Sequence, residues 1–282
     1  MTQVPQLPAP TWLVGCGNMG RSILEGWRGA GINLSATVAI DPAMPVVEGV
    51  RTVAAPAEAG APPKLVILGC KPQKLDEVAE QLKTWLTSKT LIVSLLVGVE
   101  VASLRERFAK AGAIVRALPN LPVAVRRGVI ALYTEDADDA VRQQLADLFA
   151  PLGFAPWMAD EAKLAAVGSV AGAGPAYVAR FIAALINAGE QQGLSREIAS
   201  TIALETVLGT AWMAAATRES MDAIAGRVAS PKGTTEAGLR VLDKDKVLDQ
   251  LIALTTDAAA RRGKELAAEA KAASLAEPVR LH

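Results

Sequence analysis

The chain has 282 residues, 51% hydrophobic and 21% charged, with 29 Lys plus Arg against 29 Asp plus Glu. That length suits one large or two ordinary domains with a real core, and a neutral balance without a basic block argues against nucleic acid as the main partner. The one histidine is the last residue, His282, and the only cysteines are Cys16 and Cys70, so zinc-type spacings, Ser-His or Cys-His catalysis and a disulfide framework are all excluded.

Met1 to Pro10 is polar and proline-rich, without the charged and apolar segments of a signal peptide, so a cytoplasmic protein is expected. The apolar run ending at Val14 leads into Gly15-Cys16-Gly17-Asn18-Met19-Gly20, and a helical pattern follows. The glycines have separate tasks: Gly15 for the sharp turn, Gly17 for close approach of a pyrophosphate to the backbone, Gly20 for packing of helix on strand. The free N–H groups of the first helical turn would face the phosphates. A second apolar run, Ala36 to Ile40, ends at Asp41, 26 residues after Gly15. A carboxylate there can accept both ribose hydroxyls of NAD. The plainer alternative is a strand–helix turn whose loop Asp41 caps.

Strand-like runs then alternate with helical patterns: Thr37–Ile40, Lys64–Cys70, Thr90–Leu95, Ala113–Leu118 and Val129–Tyr133 against Pro72–Leu86, Val101–Ala111 and Asp138–Phe149. The alternation predicts an α/β, doubly wound, mostly parallel sheet with its ligand crevice at the carboxyl ends of the strands. Three strand ends, Gly69-Cys70-Lys71-Pro72, Leu95-Leu96-Val97 and Pro119-Asn120, are expected to share the edge that carries Gly15–Gly20.

Near Pro156 alanine-rich helical patterns take over, which predicts a dinucleotide domain over residues 1–156 and an all-helical domain over 157–282. Helices are expected at Asp160–Val170, Pro175–Gln192, Ser195–Thr217, Met221–Val228, Thr235–Leu242 and Lys246–Ala273. The uncharged stretch Leu164 to Ala179 reads as a buried helix broken by a turn rather than a membrane span. Gly193 followed by Ser195 is a stop and a cap. Val247, Leu251, Leu254 and Ala258 give the last helix one apolar face, expected to be buried. The helices at 175–192 and 195–217 are apolar around most of their circumference, which predicts a homodimer built through this half.

Ser230-Pro231-Lys232-Gly233-Thr234-Thr235-Glu236 turns and then starts a helix. Free N–H groups at Gly233, Thr234 and Thr235, with nearby hydroxyls, suit a substrate carboxylate; a plain helix cap at Ser230 or Thr234 is the alternative.

Taken together, Gly15-Cys16-Gly17-Asn18-Met19, Lys71-Pro72-Gln73, Pro119-Asn120, Gly172-Ala173-Gly174-Pro175-Ala176-Tyr177 and Ser230–Thr235 resemble the pyrroline-5-carboxylate reductases from Trp12 to about Arg262. The resemblance implies an N-terminal Rossmann-type sheet, a C-terminal helical dimerisation domain, and a site where the two halves meet across a homodimer or a ring of such dimers, with no membrane or nucleic acid involved. It implies that Gly69 to Pro72 and Leu95 to Val97 border the nicotinamide half of NADPH or NADH, and that Glu161, Ser230 and Thr235 border the substrate. The family usually reads T-x-x-S-G-S-G-P where this chain has Gly168, Ala171 and Ala173, and more often has glycine where Lys232 stands. Asp41, in place of the Arg, Ser or Thr of NADPH-preferring members, leans to NADH.

The expected reaction is hydride transfer to the cyclic imine 1-pyrroline-5-carboxylate, giving L-proline. A cyclic imine can bring its own proton as an iminium ion, so the site chiefly needs orientation. Thr235 is expected to be catalytic, facing the imine nitrogen, and Glu161 to help order the site. The alternatives are reduction of a related imine, a hydroxyacid dehydrogenase on the same fold, and a non-catalytic nucleotide-binding module such as a redox sensor using Cys16 or Cys70.

Overall fold

The computed structural model describes residues 4–276; the first three residues of the N-terminal stretch and His282 lie outside them. Strands β1 (Thr11–Val14), β2 (Thr37–Ile40), β3 (Arg51–Val53), β4 (Leu65–Leu68), β5 (Leu91–Ser94), β6 (Ala113–Pro119), β7 (Gly128–Tyr133) and β8 (Gly153–Phe154) form one sheet in the order β3-β2-β1-β4-β5-β6-β7-β8. The first six strands of the chain run parallel, and β7 lies antiparallel to β6. Strands β1, β2, β4 and β5 are buried at every position, which is why they read as continuous apolar runs rather than alternating ones.

Helices α1 (Asn18–Gly29), α2 (Leu75–Leu82), α3 (Val101–Arg107) and α4 (Asp139–Phe149) cover the two faces. On one face Leu13, Ile67, Val93 and Val115 pack with Ile23, Trp27, Leu145 and Phe149. On the other Trp12, Val66, Ile92 and Ile114 pack with Val78, Leu82, Leu104 and Phe108. Successive residues of each strand thus serve opposite cores, and the doubly wound arrangement expected from the sequence is the one observed.

Two strands were not foreseen. Strand β3 has three residues and only Val53 buried, and β8 has two residues, too short for a periodic signal. Helices α2 and α3 are shorter than their patterns: Pro72–Lys74 forms a 3₁₀ turn before α2, and α3 ends at Arg107.

Two compact units are present, one of residues 1–173 with 259–282, the other of residues 174–258. The division does not follow the change of texture near Pro156, because α5 (Glu161–Val167) is tied to the sheet through Glu161. The expected turn after α5 is instead a π-helical segment, Gly168–Gly172, where the Asn120 amide nitrogen donates to the Ala171 carbonyl at 2.9 Å. A side chain entering the carbonyl ladder in this way is a recognised cause of helix irregularity.

In the second unit α6 (Gly174–Gln191) and α7 (Arg196–Thr217) form a hairpin closed over Gly193 and capped by Ser195, whose hydroxyl accepts from the Ile198 N–H. Helices α8 (Met221–Val228), α9 (Thr234–Asp243) and α10 (Val247–Ala276) follow. The apolar face of α10 is a correction to the sequence reading: Val247, Leu251 and Leu254 are 58%, 59% and 65% exposed. Helix α6 has no buried residue, and α7 buries only Ala199 and Ala203. Of the stretch Leu164 to Ala179, expected to be a buried helix, only Leu164 is buried within one chain. Helical runs Glu161–Gln191 and Arg196–Thr217 are long and apolar enough, by length and composition, to cross a membrane.

Candidate functional site

Strands β2, β1, β4, β5 and β6 lie side by side and parallel, so the residues that follow them share one edge. This brings together the glycine-rich turn, Asp41, Gly69–Pro72, Leu95–Val97 and Asn120.

The glycine tasks separate on geometry. Gly15 has φ +86°, and a Cβ there would lie 2.5 Å from the Cys70 backbone nitrogen; the ends of β1 and β4 approach too closely for any side chain. A Cβ at Gly20 would lie 3.1 Å from a Leu13 methyl and 3.2 Å from the Gly15 carbonyl, the expected packing of helix on strand. At Gly17 a Cβ would meet nothing within 4 Å. Nothing in the chain itself requires glycine there, so the open position is a cradle that a side chain would fill. Gly17 is also the N-cap of α1, with no side-chain cap, so the N–H groups of Asn18, Met19 and Gly20 face outward from a helix start without intrahelical acceptors. The arrangement fits a pyrophosphate.

Asp41 performs the capping role at the end of β2. One carboxylate oxygen accepts the Cys16 N–H at 2.8 Å and the other the Ala43 N–H at 2.9 Å. The acid therefore fixes the glycine loop and still presents its remaining lone pairs. Arg51 is directed to the Ala59 carbonyl at 2.7 Å.

The two cysteines are free thiols, Cys16 buried and Cys70 half-buried. Burial pushes the Cys70 thiol up to about 11. Burial also raises Cys16, reinforced by Asp41 and only partly offset by Arg21. A redox sensor needs a thiolate near neutral pH, and both shifts run away from it.

Asn120 is 7% exposed. Its amide nitrogen holds Ala171 and its amide oxygen accepts the Val129 N–H at 2.9 Å. It joins the end of β6 to the start of β7 and to the π-helical segment. Glu161 stands in the same unit: one oxygen accepts the Val101 N–H at the start of α3 at 3.0 Å, and the other pairs with the Arg116 guanidinium. Each oxygen has one partner within the protein, which fixes Glu161 where α5, α3 and β6 meet and, as for Asp41, leaves lone pairs for the substrate-bordering role expected of it. Arg116 was not singled out in the sequence. Its only signal was one charge inside the apolar run Ala113–Pro119. Two surface depressions of about 550 and 480 Å³ lie along α2 and α3, and none of the residues expected to hold cofactor or substrate lines them.

In the helical unit the loop before α9 turns tightly. The Gly233 N–H donates to the Ser230 carbonyl at 2.9 Å, which corrects the expectation that it would be free. A Cβ at Gly233 would lie 2.4 Å from the Ser230 hydroxyl oxygen. The Lys232 N–H donates to Glu236 at 2.5 Å, and Arg240 also holds Glu236. The Arg240 contact, then the Lys232 N–H, keeps the Glu236 carboxyl below its ordinary range. Gly233 caps α9 without a side-chain bond, which leaves the first-turn N–H groups of Thr234 and Thr235, with their hydroxyls, as an anion-binding helix start. Lys232 has φ +61°, the left-handed conformation that glycine takes without strain.

Comparison with known proteins agrees with both units. Residues 161–266 match the model for pyrroline-5-carboxylate reductase dimerisation, and residues 12–98 that for the coenzyme F420-dependent NADP oxidoreductases. The chain is similar to the pyrroline-5-carboxylate reductase of Pseudomonas aeruginosa, 36% identical over 90% of this chain and 95% of that one. It is similar in structure to a pyrroline-5-carboxylate reductase from Coxiella burnetii, with a TM-score of 0.82, 31% identity and coverage of 92% and 99% of the two chains. The Plasmodium falciparum enzyme, solved with NADP bound, shares the fold at a TM-score of 0.83 and 24% identity over 92% of this chain and 98% of its own. The dimerisation match covers the uncovered helices α6 and α7 and supports self-association of the chain. The chain belongs to the pyrroline-5-carboxylate reductase family and is an oxidoreductase that uses a nicotinamide cofactor.

Proposed function

We infer that reduction of 1-pyrroline-5-carboxylate to L-proline by this chain divides its work between the strand-end loops, which hold NAD(P)H, and the start of α9, which holds the substrate. The observation that carries the second half is the uncapped helix start at Thr234 and Thr235, which offers N–H groups and hydroxyls together. When bound, the reduced nicotinamide supplies the hydride that adds to the imine carbon. The turn Val14 to Gly20 borders the pyrophosphate and turns the N–H groups of Asn18, Met19 and Gly20 to it, those of Gly15 and Cys16 being donated to Ile40 and Asp41; Asp41 takes the ribose, and Gly69–Pro72, Leu95–Val97 and Asn120 the nicotinamide half. Ser230, Gly233, Thr234 and Thr235 shape the site for the substrate carboxylate. The Thr235 hydroxyl is assigned to the imine nitrogen, where it steadies the proton that the iminium already carries, and Glu161 keeps the surrounding loops in place.

Asp41 favours NADH, since a carboxylate beside the ribose accepts its hydroxyls and repels a 2′-phosphate. Residues 1–156 then act as the dinucleotide domain and 157–282 as the substrate and dimerisation domain of a cytoplasmic homodimer, or of a ring of such dimers.

The test is to mix purified protein with pyrroline-5-carboxylate and follow NADH and NADPH oxidation in parallel, with a six-membered cyclic imine as a second substrate because Gly168, Ala171 and Ala173 replace hydroxyls. Thr235→Ala should lower kcat/KM more than about tenfold with cofactor affinity unchanged. A near-wild-type value removes Thr235 from the mechanism.

A further inference from the structure

Arg116 is a charge in the core of the sheet. It stands on β6 beside Ser94, the last residue of β5, and is 5% exposed. A guanidinium held out of water has five N–H groups to satisfy. One terminal nitrogen pairs with Glu161, and the other reaches the Leu96 carbonyl at 3.4 Å. The Nε–H finds no acceptor among the described residues. Since Glu161 also takes the Val101 N–H, one ion pair joins β6, the start of α5, the start of α3 and the loop after β5.

We propose that Arg116, held by Glu161, is a positioning residue that fixes the Leu95–Val97 loop against the nicotinamide through the Leu96 carbonyl. This rests on the assignment of that loop to the nicotinamide half of the cofactor. A buried ion pair is poor at adding stability, since an apolar pair of similar volume commonly does as well; its use here is geometric. Over three residues the loop passes from core to solvent: Leu95 is 9% exposed, Leu96 2% and Val97 51%. Its far end is already fixed. Gly98 has φ +80°, and a Cβ there would lie 2.9 Å from the Ala267 backbone nitrogen of α10. The orientation of the Leu96 carbonyl therefore decides which surface Val97 presents; the Ser94 hydroxyl accepts the Leu96 N–H at 3.3 Å, and Arg116 is the side chain that holds the carbonyl.

Arg116→Lys keeps the charge for Glu161 but replaces a rigid fork with one nitrogen on a flexible stem, whose three N–H groups radiate from a single point and cannot reproduce the two separated contacts to Glu161 and Leu96. Glu161→Gln keeps the volume and loosens Arg116. Both variants are compared with the wild-type enzyme by fluorescence titration with NADH and with NADPH, by steady-state kinetics and by thermal unfolding. The expected result for each is a rise of about tenfold in cofactor Kd and a fall in kcat, with the KM for pyrroline-5-carboxylate changed less than about twofold. A lower Tm with cofactor Kd and kcat unchanged in both variants would make the pair purely structural and overturn the proposal. Should the wild-type protein bind cofactor yet reduce no imine, the substrate reading fails while the titrations still decide the role of Arg116.

Discussion

Asp41→Asn separates the two roles of this acid. In the folded chain both carboxylate oxygens accept backbone N–H groups, from Cys16 at 2.8 Å and Ala43 at 2.9 Å. Asparagine can satisfy one of them and turns an N–H donor toward the other. The loss of one charge-assisted bond costs ~1.5–3 kcal/mol, a fall in Tm of ~3–10 °C for a protein of this size. The cofactor effect is larger in proportion. A carboxylate ~5–6 Å from a 2′-phosphate, at an effective dielectric of ~20, is repelled by ~3 kcal/mol per unit charge before screening. Removing it should raise the ratio of kcat/KM with NADPH to that with NADH by ~10–100-fold, against ~1.4 kcal/mol for each factor of ten. Initial rates with the two cofactors, at fixed pyrroline-5-carboxylate, measure that ratio directly, and it is insensitive to the fraction of protein that is folded. A ratio that moves less than about threefold, with the Tm falling as expected, would refute the reasoning: Asp41 would then be a cap for the glycine loop and nothing more.

Lys232→Gly should leave the Tm unchanged or raise it, by up to ~1 kcal/mol of stability, because it relieves a left-handed residue of its Cβ; a drop in Tm on thermal unfolding would mean that the lysine side chain holds the loop. Leu208, 58% exposed on α7, should lie in the self-association surface, so Leu208→Glu should weaken the dimer by ~3–6 kcal/mol over the two copies, seen as a monomer by sedimentation velocity at micromolar protein; an unchanged mass places the interface elsewhere. Cys70, with its thiol pushed up to about 11 by burial, stays a thiol below that pH, so iodoacetamide at pH 8 should label it far more slowly than a free thiol of ordinary pKa; labelling at the free-thiol rate would contradict the burial.

The sheet was legible because its strands are buried on both faces and announce themselves as unbroken apolar runs between glycine and proline. The start of α7 was legible for a local reason, Gly193 in the left-handed region and Ser195 as the cap. Where the determinant was not local, the sequence was silent. Strand β3 is three residues long and takes its place by pairing with β2. The π-helical segment depends on Asn120, 51 residues earlier, reaching Ala171. Of the candidate site, the glycine turn and the place of Asp41 beside it were readable because both lie at strand ends set by spacing. Arg116 was not, because a single arginine in an apolar strand acquires its meaning only from Glu161, 45 residues later. The loop at Ser230–Thr235 was half readable: the helix start is present, but the Gly233 N–H closes its own turn.

The ionisable groups at the strand ends argue for an imine without any appeal to relatives. Reduction of a ketone leaves an alkoxide, which needs a proton donor poised near neutral pH. Among the described residues, Asp41 is held by two backbone N–H groups and Glu161 by Arg116 and Val101. Cys16 and Cys70 are both raised by burial, away from a working range at pH 7. Lys71 is an exposed side chain, and among the described residues its ammonium is not fixed by a hydrogen bond to a neighbouring group. A set of charges so thoroughly engaged in holding loops is suited to placing two reactants, not to moving protons between them. An iminium ion asks only for placement: hydride addition neutralises its charge and leaves an amine that already carries the proton. Loops ordered in this way suit an iminium ion, a substrate that brings its own proton and needs only to be held still.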